Sequence, residues 1–385
     1  MLFLTKRVKQ DFLSSCEGIH TGSLRLHTPE GEIYDFGAGA PLAELQIHDW
    51  SVITSLAARG GVGLGESYVA GLWDTSSIRD LSIIALSNLD RLNRYSHGNF
   101  WNAFKMRMVD RVLRANSKRG SSRNIRMHYD VGNEFYQLWL DPGMTYSSAL
   151  FEPGDSDLLR AQNRKYDRIL NRLTKGERVL EIGCGWGGFA ERAADFGRDV
   201  TGLTVSPSQK GYADARLDGR AEIRLQDYRD CTGQFDNIVS IEMIEAVGQR
   251  YWPTYFATLR DRLAKDGRAV LQVITVKNEN FDQYSKSSDF IRQHTFPGGM
   301  LLSNSQIAQQ ANRAGLCVRD TFSFGADYAR TCGIWAEQLS AQAPKIRRLG
   351  HGEAFLRTWR YYLDICAATF ATGRTDVVQV ELAHA

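Results

Sequence analysis

The run Val179-Leu-Glu-Ile-Gly-Cys-Gly-Trp-Gly-Gly-Phe189 most narrows what this chain can fold into. Val179 to Ile182 is short and mostly apolar, the pattern of a buried strand. It leads straight into Gly183, Gly185, Gly187 and Gly188, after which Phe189-Ala-Glu-Arg-Ala-Ala194 has helical spacing. A strand, a glycine turn and a helix bring bare backbone to the carboxyl end of a parallel sheet, where a ligand can approach closely. The turn differs from a dinucleotide fingerprint in one respect: Glu181 lies in the strand end, two residues before the first glycine. A carboxylate there suits an ammonium group better than a pyrophosphate. That chemistry points to S-adenosylmethionine, whose methionine end carries an amine.

A glycine turn alone is weak evidence, and the spacing downstream strengthens it. Val200-Thr-Gly-Leu-Thr-Val205 reads as a second strand, with Ser206 as N-cap and Pro207 as first residue of the next helix. Thr204 and Gln209 are thereby placed where a ribose would lie. The acidic residue that a dehydrogenase normally shows near this strand end is absent. Ala221-Glu-Ile-Arg-Leu225 is a third strand, followed by Asp227 and Tyr228. Asp227 is expected to accept from an adenine amino group, the alternative being that it caps a turn. Strands are also expected at Phe235 to Ile241, Gly267 to Thr275, Val318 to Phe324 and Val377 to Leu382. They alternate with helices at about Trp252 to Leu263, Lys345 to Leu349 and Glu353 to Phe370. This alternation implies a parallel sheet covered on both faces, with an antiparallel hairpin at one edge.

The 385 residues suffice for such a domain and a smaller one. The six cysteines, at 16, 184, 231, 317, 332 and 366, show no paired spacing, so a disulfide frame or a zinc site is not expected. No apolar stretch reaches bilayer length and the amino terminus lacks a signal-peptide core, so a cytoplasmic protein is expected. Positive charge is concentrated: Arg91, Arg94, Lys105, Arg107, Arg111, Arg114, Lys118, Arg119, Arg123 and Arg126 face Asp110 alone, with Trp101, Phe104, Met108 and Val112 at roughly helical spacing. A basic amphipathic helix of this kind suits an anionic bilayer surface; a solvated helix packed on its own domain is the alternative. A net charge of +3 and the lack of a binding module disfavour nucleic acid. Ser117 to Arg123 looks like a linker, which divides the chain into residues 1–118, a lipid- or membrane-associated domain, and 119–385. In the first part, Gly60 to Trp73 reads as loop and then helix, and Leu81 to Leu89 as a helix.

Taken together, several stretches resemble the cyclopropane-fatty-acyl-phospholipid synthase family: Gly61-Val-Gly-Leu-Gly-Glu-Ser-Tyr68, Tyr129-Asp-Val-Gly-Asn-Glu-Phe-Tyr136, Met144-Thr-Tyr-Ser-Ser-Ala149, Ile182-Gly-Cys-Gly-Trp-Gly-Gly188, Leu225-Gln-Asp-Tyr-Arg-Asp230, Glu242-Met-Ile-Glu-Ala-Val-Gly248, Phe296-Pro-Gly-Gly299 and Phe324-Gly-Ala-Asp-Tyr328. The resemblance implies an α/β fold, a class I methyltransferase Rossmann-like sheet, mostly parallel with one antiparallel edge strand, and a smaller N-terminal α+β domain. It implies alkylation of a cis double bond in a phospholipid acyl chain. The basic stretch adds the expectation of an anionic membrane surface, at the inner face of the membrane, and a homodimer is a candidate assembly. The resemblance also implies a bound bicarbonate that removes a proton from the alkylated chain.

By the same resemblance Tyr146 and Ser147 close over the methionine end of the cofactor. Glu181, Gly183, Gly185 and Gly187 form its turn, Thr204 and Gln209 face the ribose, and Asp227 and Tyr228 face adenine. Glu245, Tyr328 and Ser148 line the reacting centre. The sequence departs from the family pattern where Ser148 replaces a cysteine, Ala246 a histidine, and Gln272 a histidine found in many bacterial members. Because of Ser148 a weakened bicarbonate site and a methyl-branched or methylated unsaturated acyl chain are expected; a retained site, the alternative, would give a cyclopropane. A small-molecule methyltransferase and a lipid-binding homologue without activity are the remaining alternatives.

Overall fold

The computed structural model describes residues 2–92 and 131–385. Apart from Arg91, the basic residues noted above lie outside the described residues, as does the division at 118/119. Two compact units emerge, each discontinuous in sequence.

One unit gathers residues 2–92 with Lys286–Thr295 and Cys332–Arg374. Its sheet holds β1 (Gly22–His27), β2 (Ile33–Ala38), β3 (Leu42–Ile47) and β4 (Trp73–Thr75) in the order β2-β1-β3-β4. β1 is antiparallel to β2 and parallel to β3. Alternate residues Leu24 and Leu26 of β1, and Ala43, Leu45 and Ile47 of β3, enter one core, as the two-residue period of a strand requires. The glycine-rich stretch is helical from its start, Gly61–Val69, rather than loop and then helix. The reason is packing. A Cβ on Gly63 would lie 2.3 Å from the carbonyl oxygen of Ser55, and one on Gly65 would lie 2.5 Å from the rings of Phe290 and Tyr361. These glycines let backbone and aromatic rings approach the helix, so the stretch is a packing surface.

The other unit holds residues 131–285, Phe296–Thr331 and Thr375–Ala385. Seven strands form its sheet: β5 (Arg178–Ile182), β6 (Asp199–Thr204), β7 (Glu222–Leu225), β8 (Phe235–Ile241), β9 (Leu263–Val276), β10 (Leu316–Ser323) and β11 (Thr375–His384). Their order is β10-β11-β9-β8-β5-β6-β7. β5 is central, parallel to β6 on one side and β8 on the other. Val179, Leu180, Glu181 and Ile182 are all buried, as befits a strand covered on both faces. The chain leaves β5 for β6 on one side and reaches β8 on the other, which creates a topological switch point at the carboxyl ends of β5 and β8. The reversed strand is β11, one in from the edge and antiparallel to both β9 and β10. Helices Gly188–Asp195 and Pro207–Leu217 follow β5 and β6. The second is capped as its sequence indicates, with the Ser206 side chain accepting from the Gln209 amide and Pro207 in the first turn.

Candidate active site

At the carboxyl end of β5 the glycines divide their work. Gly183, Gly185 and Gly187 all have positive φ, at 85°, 53° and 84°, a conformation that costs a side chain free energy. A Cβ on Gly183 would meet Met243 at 2.7 Å and one on Gly187 would meet Ala213 at 3.1 Å, whereas one on Gly185 meets nothing within 4 Å. Gly183 and Gly187 thus serve internal packing, and Gly185 faces open space. The amides of Gly183 and Cys184 donate to the Leu203 carbonyl of β6, which ties the turn to the neighbouring strand.

Glu181 is buried, and its Oε2 has no hydrogen-bond partner among the described residues. Burial pushes its carboxyl up to about 8, against the opposing pull of Lys165 and Arg216. A buried carboxylate oxygen without a donor is costly unless a cation or donor arrives. Thr204 and Gln209 are buried and joined by a 2.9 Å hydrogen bond from Thr204 Oγ1 to Gln209 Oε1. Asp227 does cap its turn: Oδ1 accepts from the Arg229 amide at 3.0 Å and from Arg229 Nε at 2.8 Å, and Oδ2 accepts from Arg229 Nη2 at 2.6 Å. Tyr228 is buried, with its ring edge-on to Tyr255.

The segment from Asp141 to Leu150 is pinned on several sides. Asp141 accepts from the amides of Gly143 and Thr145. Helix Leu158–Leu170 supplies Gln162, whose Nε2 donates to the Ser147 carbonyl, and Lys165, whose Nζ donates to Ser147 Oγ at 2.6 Å. Lys165 is fully buried, and burial brings its ammonium down to about 7 although Glu242, Asp141 and Glu181 oppose the shift. Tyr146 packs against Tyr136, Trp139 and Phe296, and Trp186 of the glycine turn joins them through Tyr136.

At the end of β8, Glu242 sits at the centre of a ring of donors. Its Oε1 accepts from the Ser148 amide at 2.9 Å and from Gln272 Nε2 at 2.7 Å, and its Oε2 accepts from the Tyr328 hydroxyl at 2.5 Å. The residue has φ 49°, one of only three positive values among the described non-glycine residues. Glu245 lies to the side. Its Oε1 accepts from the Ile274 amide at 2.6 Å, and its buried Oε2 has no partner among the described residues. Burial, reinforced by Glu242, pushes the Glu245 carboxyl up to about 8. The Ser148 hydroxyl turns away and donates to the Ala149 carbonyl.

The structure therefore joins Tyr328 and Ser148, as the sequence suggested, but through Glu242 rather than Glu245. The Tyr328 hydroxyl and the Ser148 amide are taken up by a carboxylate of the chain itself, and the Ser148 hydroxyl is spent on the Ala149 carbonyl, so these residues do not fit a bound bicarbonate. Sequence reasoning missed Glu242 and Lys165. The signal for Glu242 was available: it follows directly on the last residue of a strand whose carboxyl end borders the switch point. Lys165 left none, because an isolated lysine in a helix looks solvated.

The description Mycolic acid cyclopropane synthetase belongs to the family model that matches residues 116–380. The tuberculostearic acid methyltransferase of Mycobacterium tuberculosis is 35% identical over 379 residues, covering 92% of this chain and 87% of the relative. The cyclopropane-fatty-acyl-phospholipid synthase of Escherichia coli is 34% identical over 346 residues, covering 89% of this chain and 88% of that one. A solved mycolic acid cyclopropane synthase, complexed with SAH and CTAB, superposes with a TM-score of 0.63 at 30% identity, over 68% of this chain and 97% of its own.

Proposed function

The chain belongs to the mycolic acid cyclopropane synthetase family, and from this premise we propose that it methylates a double-bond carbon of an unsaturated phospholipid acyl chain. At the coarser level it is an S-adenosylmethionine-dependent enzyme that modifies unsaturated lipid chains. Bound S-adenosylmethionine supplies an electrophilic sulfonium methyl. The observation that carries the reading is the placement, at the carboxyl ends of the neighbouring strands β5 and β8, of an unpartnered buried carboxylate at Glu181 and the donor-held carboxylate at Glu242.

The chain's own groups account for the remaining requirements. The Glu181 carboxylate suits the amine of the cofactor, Gly185 lets it approach the backbone, and Gly183 and Gly187 set the turn's shape. Thr204 and Gln209 serve the ribose, and Asp227 and Tyr228 the adenine. Tyr146 and Ser147 cover the methionine end, with Lys165 fixing the Ser147 hydroxyl. The rings of Tyr136, Trp139, Tyr146 and Phe296 form an apolar wall, which excludes water and offers π faces to a developing cation. Among the described residues no helix is long and apolar enough to cross a membrane. The basic stretch from Arg91 to Arg126 supports peripheral contact with anionic lipid.

Glu181 yields a calorimetric prediction. Its carboxyl is raised to about 8 without the cofactor, and a nearby cation favours the ionised form. At pH 6.5 cofactor binding should therefore expel up to about one proton, and the release should fall to about half near pH 8 and vanish only well above it, where Glu181 is already ionised. Titrations in two buffers of different ionisation enthalpy would measure it. Equal heats in both buffers, or undiminished release in Glu181→Gln, would remove the carboxylate from this role.

A methyl-branched product that keeps a double bond is supported by the 35% identity to a tuberculostearic acid methyltransferase over nearly the whole chain. Ring closure is the second reading, favoured by the carboxylate held at Glu242, which supplies the base that the serine at position 148 was expected to forfeit. A trideuteromethyl donor separates the two. A methyl branch keeps three deuterons, whereas a cyclopropane keeps two because closure removes one. We expect three in the dominant lipid product by mass spectrometry. Two deuterons in a ring would establish the synthase reaction instead.

A further inference from the structure

We propose that Glu242 is the catalytic base, a carboxylate built into the chain in place of a bound bicarbonate. The inference rests on the functional reading above and deepens it. Three donors from distant segments, the Ser148 amide, Gln272 Nε2 and the Tyr328 hydroxyl, converge on this one carboxylate at 2.5–2.9 Å. Such an arrangement is what a small oxyanion would need, and the side chain supplies that anion.

The orientation of the Gln272 amide is dictated from outside the site. Arg168 can only donate, and its Nη1 does so to Gln379 Oε1 at 2.7 Å. The Gln379 amide nitrogen must then face Gln272, where it donates to Oε1 at 3.0 Å. The Gln272 nitrogen is left to point at Glu242. Gln272 and Gln379 are directly paired across β9 and β11, and both are buried. A charge-to-carboxylate relay thus fixes Glu242 with its acceptor side toward three donors. The backbone contributes as well: a glutamate at φ 49° is held in a strained conformation of the kind that clusters at functional positions.

The proton balance is simple. Methyl transfer forms a C–C bond from the π electrons of the alkene as the S–CH3 bond breaks, its electron pair staying on the sulfur of the departing S-adenosylhomocysteine, and leaves a cationic carbon on the acyl chain. One C–H bond next to that carbon, or in the new methyl, then breaks. Its electron pair forms the new C=C or ring C–C bond, and the proton passes to Glu242. The oxygen Oε2, with one hydrogen bond from Tyr328 against two at Oε1, is the better placed to receive it.

The test uses the full chain, methyl-labelled S-adenosylmethionine and vesicles of cis-unsaturated phosphatidylglycerol, in buffer freed of carbon dioxide, with and without added bicarbonate. The native rate should be the same within about two-fold in both conditions. Glu242→Gln keeps the shape but removes the base, and should lose at least about 100-fold without rescue by bicarbonate. Glu242→Gly relieves the backbone strain and frees the three donors, so its rate should be low and rise at least about tenfold on adding bicarbonate. A native rate that depends on bicarbonate, or a Glu242→Gln variant as fast as native, would overturn the inference and leave the lipid methyltransferase reading intact. No label in lipid from the native chain under either condition would overturn both.

Discussion

Gly185→Val is expected to weaken S-adenosylmethionine binding at least 100-fold, about 2.8 kcal/mol, while the protein remains folded. Gly185 is the glycine of the turn at which an added Cβ meets no protein atom within 4 Å. A side chain there is accommodated by the fold and obstructs only what approaches from outside. The substitution also carries a backbone cost, since φ is 53° and a β-branched residue strongly disfavours that region. Gly185→Ala separates the two effects, because it bears most of the backbone strain without the γ carbons. Its affinity should fall between native and valine, with a thermal midpoint close to that of the valine variant. Isothermal titration is the measurement, and an unchanged isotherm for Gly185→Val would move the cofactor away from this turn. The same substitution at Gly183 is less informative. A Cβ there strikes Met243 at 2.7 Å, so a loss of binding would not distinguish obstruction from misfolding.

Tyr328→Phe should lower kcat by about 100-fold, the scale of one lost donor to a charged group in an active site, and leave cofactor affinity within about two-fold of native. The ring stays and only the hydroxyl goes, with its 2.5 Å bond to Glu242 Oε2. Burial already holds the Glu242 carboxyl above its ordinary range, while Tyr328, Ser148, Gln272 and Lys165 act to bring it down. Removing one of these raises it further, because the charged form loses a donor. The base must be ionised to act, so the acid limb of the kcat profile should move to higher pH in the variant. A purely structural tyrosine would leave that limb in place. An effect confined to KM, with kcat and the limb unchanged, would assign Tyr328 to substrate packing alone.

Much of the fold was legible in the chain because its determinants are local. A buried apolar run, glycines at fixed intervals and a helical period specify β5, its turn and the next helix within the sixteen residues from Val179 to Ala194. Ser206 and Pro207 mark a helix start by hydrogen bonding and a fixed φ that depend on nothing beyond the next turn. The glycines at 61, 63 and 65 misled for the converse reason. Their intrinsic preference is for loop, but at 63 and 65 Ser55, Phe290 and Tyr361 leave no room for a Cβ, and packing overrides propensity.

The same division runs through the site. By itself the sequence determined the sheet and the carboxylate-and-glycine turn after its first strand; a common centre for Tyr328 and Ser148 was implied only by the family resemblance. The resemblance pointed to Glu245 and passed over Glu242, three residues earlier at the strand end. Only the tertiary structure decided that Glu242 takes the donors, because those donors lie 94, 30 and 86 residues away along the chain. The β11 insertion beside β9 sets Gln379 against Gln272. Long-range strand pairing of this kind fixes where hydrogen-bond donors converge, and no residue's own propensity records it.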